Sequence, residues 1–150
     1  MSTAPLIALR ISLLVAGVFA FVTGLDQALG GFHTLGWLGQ PQWFETTNQA
    51  AFLVADNHQR FMGGVWTGIG LMLLFAQRDL VRHQDLLKAS FAIVFVGGLA
   101  RFSQMNPDIV FGPDIIVALI VELLGMPLLF VWLTRAVADA GPGQPSKVGS

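Results

Sequence analysis

From Ile115 to Thr134 the chain reads IIVALIVELLGMPLLFVWLT, twenty residues with a single ionisable side chain, Glu122. A helix needs about 20 mostly apolar residues to cross the roughly 30 Å of bilayer hydrocarbon. A helix that is apolar on every side must be covered on every side. The rest of the chain offers little to cover it with in water. Only 11% of its 150 residues are charged and 54% are hydrophobic, whereas soluble domains carry about 25% charged residues. The solvent that fits this composition is the bilayer, and the length suits one domain, 1–150.

Three further apolar stretches complete an expected set of spans at about 6–25, 61–76, 86–103 and 115–135. The second is short, but AAFLVA at Ala50–Ala55 precedes it, so its helix is expected to begin near Asn48 and project beyond the membrane as far as Arg60. The first run, Leu6–Leu25, is 20 residues long. A cleaved signal has an apolar region of about 7–15 residues, so a retained helix is expected. The fold class is therefore all-α: an integral membrane four-helix bundle with a short interfacial segment between the first and second spans.

Basic residues set the expected orientation, because Lys- and Arg-rich loops stay in the cytoplasm. Arg10, Arg78, Arg82, Lys88, Arg135 and Lys147 fall on the side of both termini, against Arg60 and Arg101 on the other. Both termini are thus expected in the cytoplasm, with the segment Asp26–Gln59 outside. That segment holds Phe32, Trp37, Trp43 and Phe44. Trp37 and Trp43 are expected at headgroup depth, where the amphipathic indole ring sits well. Gly30–Gly31 and Gln40–Pro41 break the segment. The tail at about 140–150, rich in Gly, Pro and Ser, is expected to be disordered.

In lipid, helices associate through close packing at small residues. Gly64 and Gly68 form a GxxxG, with Gly63 and Gly70 beside them; Gly97 and Gly98 lie in the third span and Gly125 in the fourth. These glycines are expected either to pack the bundle itself or to meet a second copy or partner. Pro127 removes an N–H and is expected to free a carbonyl near Leu123.

The charges inside this apolar chain are the candidate polar site: Asp56, His58, Arg60, Arg101 and Glu122. Glu122 lies about 10 Å along its helix at 1.5 Å per residue, a depth at which an ionisable group is costly unless paired. Arg101 is its expected partner, because Gly97 and Gly98 allow close approach. Asp56 stands four residues before Arg60, a spacing that permits a helical ion pair. A Glu–Arg pair of this kind either fixes helix register or serves binding or proton coupling; the sequence leaves both open. His33, His58 and His83 are scattered, with no spacing that suggests a metal site, and no cofactor is expected. There is no cysteine, no Walker loop, no GxSxG and no dinucleotide fingerprint. A net charge of −1 gives no basic footprint for nucleic acid.

The stretch NHQRFMGGVWTGIGLMLL, followed by GGLARFSQMNPDIVFGPDIIVALIVELLGMPLLFVW, resembles the small bacterial membrane proteins grouped as domain of unknown function 4345. The shared pattern falls on Arg60, Phe61, Gly64, Trp66, Gly97, Gly98, Arg101, Ser103 and Glu122. The turn QMNPDIVFGPD departs from the simpler Gly-x-Pro of that pattern. The resemblance implies a four-helix inner-membrane protein and carries no activity with it. Two functions remain in competition. One is a non-enzymatic accessory or scaffold subunit that packs against membrane partners. The other is a carrier of a small amphiphile, lipid or quinone-like, at an outer-facing polar pocket. An enzyme is not expected, since arginine and glutamate without a nucleophile or metal offer little chemistry.

Overall fold

The computed structural model describes residues 4–37 and 46–139, and among these there is no strand. The helices are α1 (Ala4–Gly30), α2 (Gln49–Ala76), α3 (Gln84–Ala100), α4 (Pro107–Val110), α5 (Ile116–Ile120) and α6 (Met126–Asp139). A 3-10 turn at Gly31–His33 follows α1, and another at Arg101–Gln104 follows α3. The chain divides into two compact units, Ile11–Gln77 and Met1–Arg10 with Arg78–Ser150.

In the first of these, α1 and α2 run antiparallel in close contact. The register is written in glycine. The Cβ positions of Gly17 and Gly24 on α1 face Leu74 and Thr67, and those of Gly63 and Gly70 on α2 face Ala28 and Phe21. Each pairing moves up one helix as it moves down the other. Seven residues separate the two glycines on each helix, close to two turns at 3.6 residues per turn, so both lie on one face. Trp66 fixes the seam further, its Nε1–H donating to Thr23 Oγ1 at 2.9 Å. Thr23 and Thr67 donate their hydroxyls back to Phe19 and Gly63 carbonyls at 2.8 Å, so neither leaves a bare hydroxyl in the seam.

This division of labour differs from the GxxxG expectation. Gly64 and Gly68 have open space where a Cβ would stand, as does Gly97 on α3. Gly125 meets only Val121 of its own helical run. The reason is helical phase: neighbouring residues point about 100° apart, so of Gly63 and Gly64 one faces α1 and the other faces away.

Helix boundaries follow local chemistry. Helix α2 begins next to Asn48, as expected, and Asn48 caps it, its side chain accepting the Ala51 N–H at 3.0 Å and so satisfying one of the unpaired donors at a helix start. The first helix runs past the expected Leu25 to Gly30, where Gly31 takes a φ of 63° that a Cβ would oppose. Trp37 is exposed; Trp43 and the tail at 140–150 lie outside the described residues.

In the second unit, α3 packs antiparallel to α6. Gly98 faces Glu122, and Phe91 and Phe95 line a groove with Pro127 and Phe130. Leu87, Phe91, Leu133 and Ala136 are buried. Ser90 is buried too, its hydroxyl donating to the Leu86 carbonyl at 2.8 Å. The third span ends more tightly than expected. After Ala100 the chain winds as a 3-10 turn, reverses at Met105 (φ 51°) and starts α4 at Pro107. The expected fourth helix is interrupted by a π-helical segment, Val121–Gly125, in which the Met126 N–H bonds back to the Val121 carbonyl. Pro127 supplies the physical cause. It cannot donate to the Leu123 carbonyl, and a wider turn absorbs the broken ladder.

Three helical stretches are long and apolar enough to cross a membrane: Leu6–His33, Gln84–Gln104 and Ile116–Asp139. Helix α2 is not among them. Its apolar part, Phe61–Ala76, is 16 residues, and its first half carries Asp56, His58 and Arg60. Large apolar side chains stand outward, with Phe61, Val117 and Leu128 at 67%, 68% and 69% exposed, far beyond what a water-facing monomer leaves uncovered in contiguous patches.

Candidate functional site

The five candidate residues divide between the two units. In the first, Asp56 projects from α2 toward the end of α1. Its Oδ1 accepts the Phe32 N–H at 2.8 Å, and its Oδ2 accepts from Arg60 Nε at 2.7 Å. Arg60 turns both of its terminal nitrogens onto backbone, donating from Nη1 to the Leu29 carbonyl and from Nη2 to the Gly30 carbonyl at 3.2 Å. These are carbonyls at the C-terminus of α1, which lack intrahelical donors and carry the negative end of the helix dipole. Arg60 is thus a C-cap delivered from a neighbouring helix, which is why an arginine stands at the lip of an apolar run.

The fit leaves no room for a larger residue at position 31, since a Cβ there would overlap the Asp56 carboxylate. The Phe32 N–H, and after it the Arg60 guanidinium, hold the Asp56 carboxyl below the usual carboxylate range. Asp26 does parallel work. It is 3% exposed, and its Oδ1 accepts the Leu35 N–H at 2.7 Å. Sequence reasoning passed over Asp26. Its signal was the aspartate directly after the apolar run and ahead of Gly30–Gly31, a place where an acceptor is needed to turn the chain. His58 does not join this cluster; it is exposed, with its Nδ1 2.8 Å from the Val54 carbonyl of its own helix.

In the second unit, Arg101 and Glu122 meet. Nε to Oε2 and Nη2 to Oε1 are both 2.6 Å, a two-pronged pair in which the planar fork matches the carboxylate. The Glu122 side chain is 16% exposed and that of Arg101 37%. Gly98 makes the contact possible: a Cβ there would stand 2.8 Å from Glu122 Cβ. The π segment sets Glu122 in a wider turn at this point. Ser103 closes the 3-10 turn that carries Arg101 by donating to the Ala100 carbonyl at 2.7 Å.

Of the residues that carry the resemblance, Arg60 is thus a cap, Trp66 belongs to the seam, and Gly98, Arg101 and Glu122 form the ion-pair contact, whereas Gly64 and Gly97 face open space. The chain belongs to the family Domain of unknown function (DUF4345). The DUF4345 match runs from residue 8 to residue 133 and so takes in both polar clusters and the glycine seam. No curated protein and no solved structure matches the chain. Among the described residues of this DUF4345 chain there is no group of three His, Cys, Asp or Glu placed to hold a metal ion. Among the same described residues, no buried side-chain polar atom is left without a hydrogen-bond partner.

Proposed function

We propose that this chain is a four-span membrane protein of the bacterial inner membrane that acts without catalysis, as an accessory or scaffold subunit packing against a membrane partner or a second copy. The observation that carries this reading is the split among the α2 glycines. Gly63 and Gly70 are used against α1, while Gly64 and Gly68 present a second small-residue face with open space before it. In lipid such a face lets another helix approach closely. Helix α2 serves as the fourth span, its short apolar part lengthened at the outer end by the Arg60 cap. The basic residues favour cytoplasmic termini.

The polar clusters support a structural role for their charges. Arg60 donates to a carboxylate and to two backbone carbonyls, and Arg101 is held on a carboxylate by two parallel bonds, an arrangement that favours pairing within the chain over capture of an anionic ligand. This weighs against the alternative, an amphiphile carrier at an outer-facing pocket built from the same residues.

The absence of cysteine makes the test direct. Gly64→Cys and Gly68→Cys should form disulfides or crosslinks to a partner in native membranes, while Gly63→Cys should not. Gly64→Leu with Gly68→Leu should abolish co-purification without loss of helix content. Crosslinking at Gly63 and not at Gly64 would reverse the assignment of faces and end the proposal. A reporter fused after Ser150 should be active in the cytoplasm, and one near Gln40 outside.

A further inference from the structure

The face of the second unit where α3 begins and α6 ends carries a feature that the scaffold reading does not use. An apolar groove of about 270 Å³ runs between α3 and α6, lined by Phe91, Ala92, Phe95, Pro127, Phe130 and Val131. The groove exists because of local sequence. Ala92 is a small residue between two phenylalanines, and Pro127 sits two residues past the end of the π segment, in the first turn of α6. Because the two helices are antiparallel, one more turn along each reaches the same level. On α3 that turn, four residues before Ala92, is Lys88. On α6, four residues after Val131, it is Arg135. Residues four apart on a helix lie on one face, so the apolar floor ends between two cations.

Neither cation is consumed by the fold. Arg135 is exposed and has no ion pair among the described residues. Lys88 Nζ lies 2.9 Å from Gln84 Oε1 and 3.9 Å from an Asp85 carboxylate that is itself 95% exposed. An ion pair that open is worth little. Asp85 and Asp139 are the acidic groups nearest along these helices, and both lie further toward the helix ends, beyond the cations.

We infer that this groove binds an anionic phospholipid of the surrounding bilayer, one acyl chain along Phe91, Phe95 and Phe130 and the phosphate between Lys88 and Arg135. Charge complementarity chooses the occupant. A neutral helix would fill the apolar floor but leave two cations without an anionic partner, whereas an anionic lipid matches both the apolar length and the charged end. Lysine and arginine stems lie along apolar surface and hold their heads at the headgroup level, and each basic group near an anionic lipid surface strengthens binding by about fivefold at low salt. The inference rests on the membrane placement proposed above, but on none of the residues of the glycine face.

The test is native mass spectrometry of the full chain in detergent, titrated with dioleoyl phosphatidylglycerol or with dioleoyl phosphatidylcholine. Wild type should retain the anionic lipid in preference, by about twentyfold or more if both cations act. Lys88→Gln with Arg135→Gln should remove that preference. Arg78→Gln with Arg82→Gln, which takes two charges from the neighbouring loop, should keep it. Ala92→Phe, which fills the groove and leaves the charges, should weaken retention of both lipids, with helix content as the check on folding. Equal retention of the two lipids by wild type would overturn the site. So would full retention in Ala92→Phe, or an equal loss of preference in the Arg78 and Arg82 variant, because the general charge of the loop would then be choosing the lipid. Failure of the membrane placement would show differently, as a chain extracted from membranes without detergent.

Discussion

Two adjacent glycines should respond to the same substitution with opposite signs. Gly63→Ala places a Cβ against the Ala28 backbone nitrogen and 2.8 Å from both Gln27 C and Gln27 Cβ, where ordinary contact begins at 3.4 Å. Two of these atoms are backbone, so no rotamer change relieves the overlap, and α1 must retreat by about 0.6–1 Å. A gap of that size forfeits about a quarter to a half of each dispersion well, which over a few tens of atom pairs comes to about 1–2 kcal/mol. Overpacked cores lose about 1–3 kcal/mol by the same route. Gly64→Ala meets nothing within 4 Å and gains helix propensity of about 0.8–1 kcal/mol. The two variants should therefore differ by about 2–3 kcal/mol, close to two orders of magnitude in the folding equilibrium. Reversible unfolding in mixed detergent micelles, followed by far-UV circular dichroism, measures the difference. A Gly63→Ala protein as stable as wild type would refute the argument that α1 and α2 touch through backbone.

Arg101→Ala should cost about 2–3 kcal/mol, less than the 3–5 of a fully buried pair because Arg101 is 37% exposed. Glu122→Gln should cost less, since the amide oxygen still accepts from the guanidinium; the same unfolding assay ranks the two, and the reverse order would count against a structural pair. Asp56 has a lowered folded pKa, so its contribution is full above the ordinary carboxylate value of about 3.9 and is lost as the pH falls through the lower folded value. The stability gap between wild type and Asp56→Asn should accordingly begin to narrow as the pH falls below about 4 and go on narrowing into stronger acid; a gap that is constant down to about pH 2 would show that charge is not what Asp56 supplies.

The Arg101–Glu122 contact was legible because an ionisable group in a long apolar run has few available partners, and Gly98 one turn before Arg101 announced close approach. The role of Arg60 was only half legible. Its spacing to Asp56 is a local, same-helix signal, but the carbonyls it caps belong to residues about thirty positions away. Nothing in the local pattern says which helix end will arrive there. The glycine seam was legible in its residues but not in its faces, for a related reason. GxxxG draws attention to a spacing of four, whereas the contact uses a spacing of seven on both helices, and adjacent Gly63 and Gly64 are indistinguishable until the face of α2 is known. Trp66 gave no advance sign that its partner is Thr23, because a single hydroxyl in an apolar helix is satisfied equally well by its own backbone.

The π segment at Val121–Gly125 has a consequence for how this chain tolerates changes of length. A π turn holds one residue more than the α turn it replaces. Deleting one residue there, other than Glu122, would let the run close up as a regular helix, and the segments on either side would keep their relative phase, because a π turn and an α turn each complete one revolution. Glu122 and Leu133 now serve opposite ends of one face toward α3. A deletion in the regular part of α6 between Met126 and Leu133 would rotate them by about 100° against each other, so that the helix could satisfy the arginine or bury the leucine but not both. The wider turn thus works as a phase adjuster, and the chain should tolerate the loss of one residue within it better than the loss of one residue in the helix that follows.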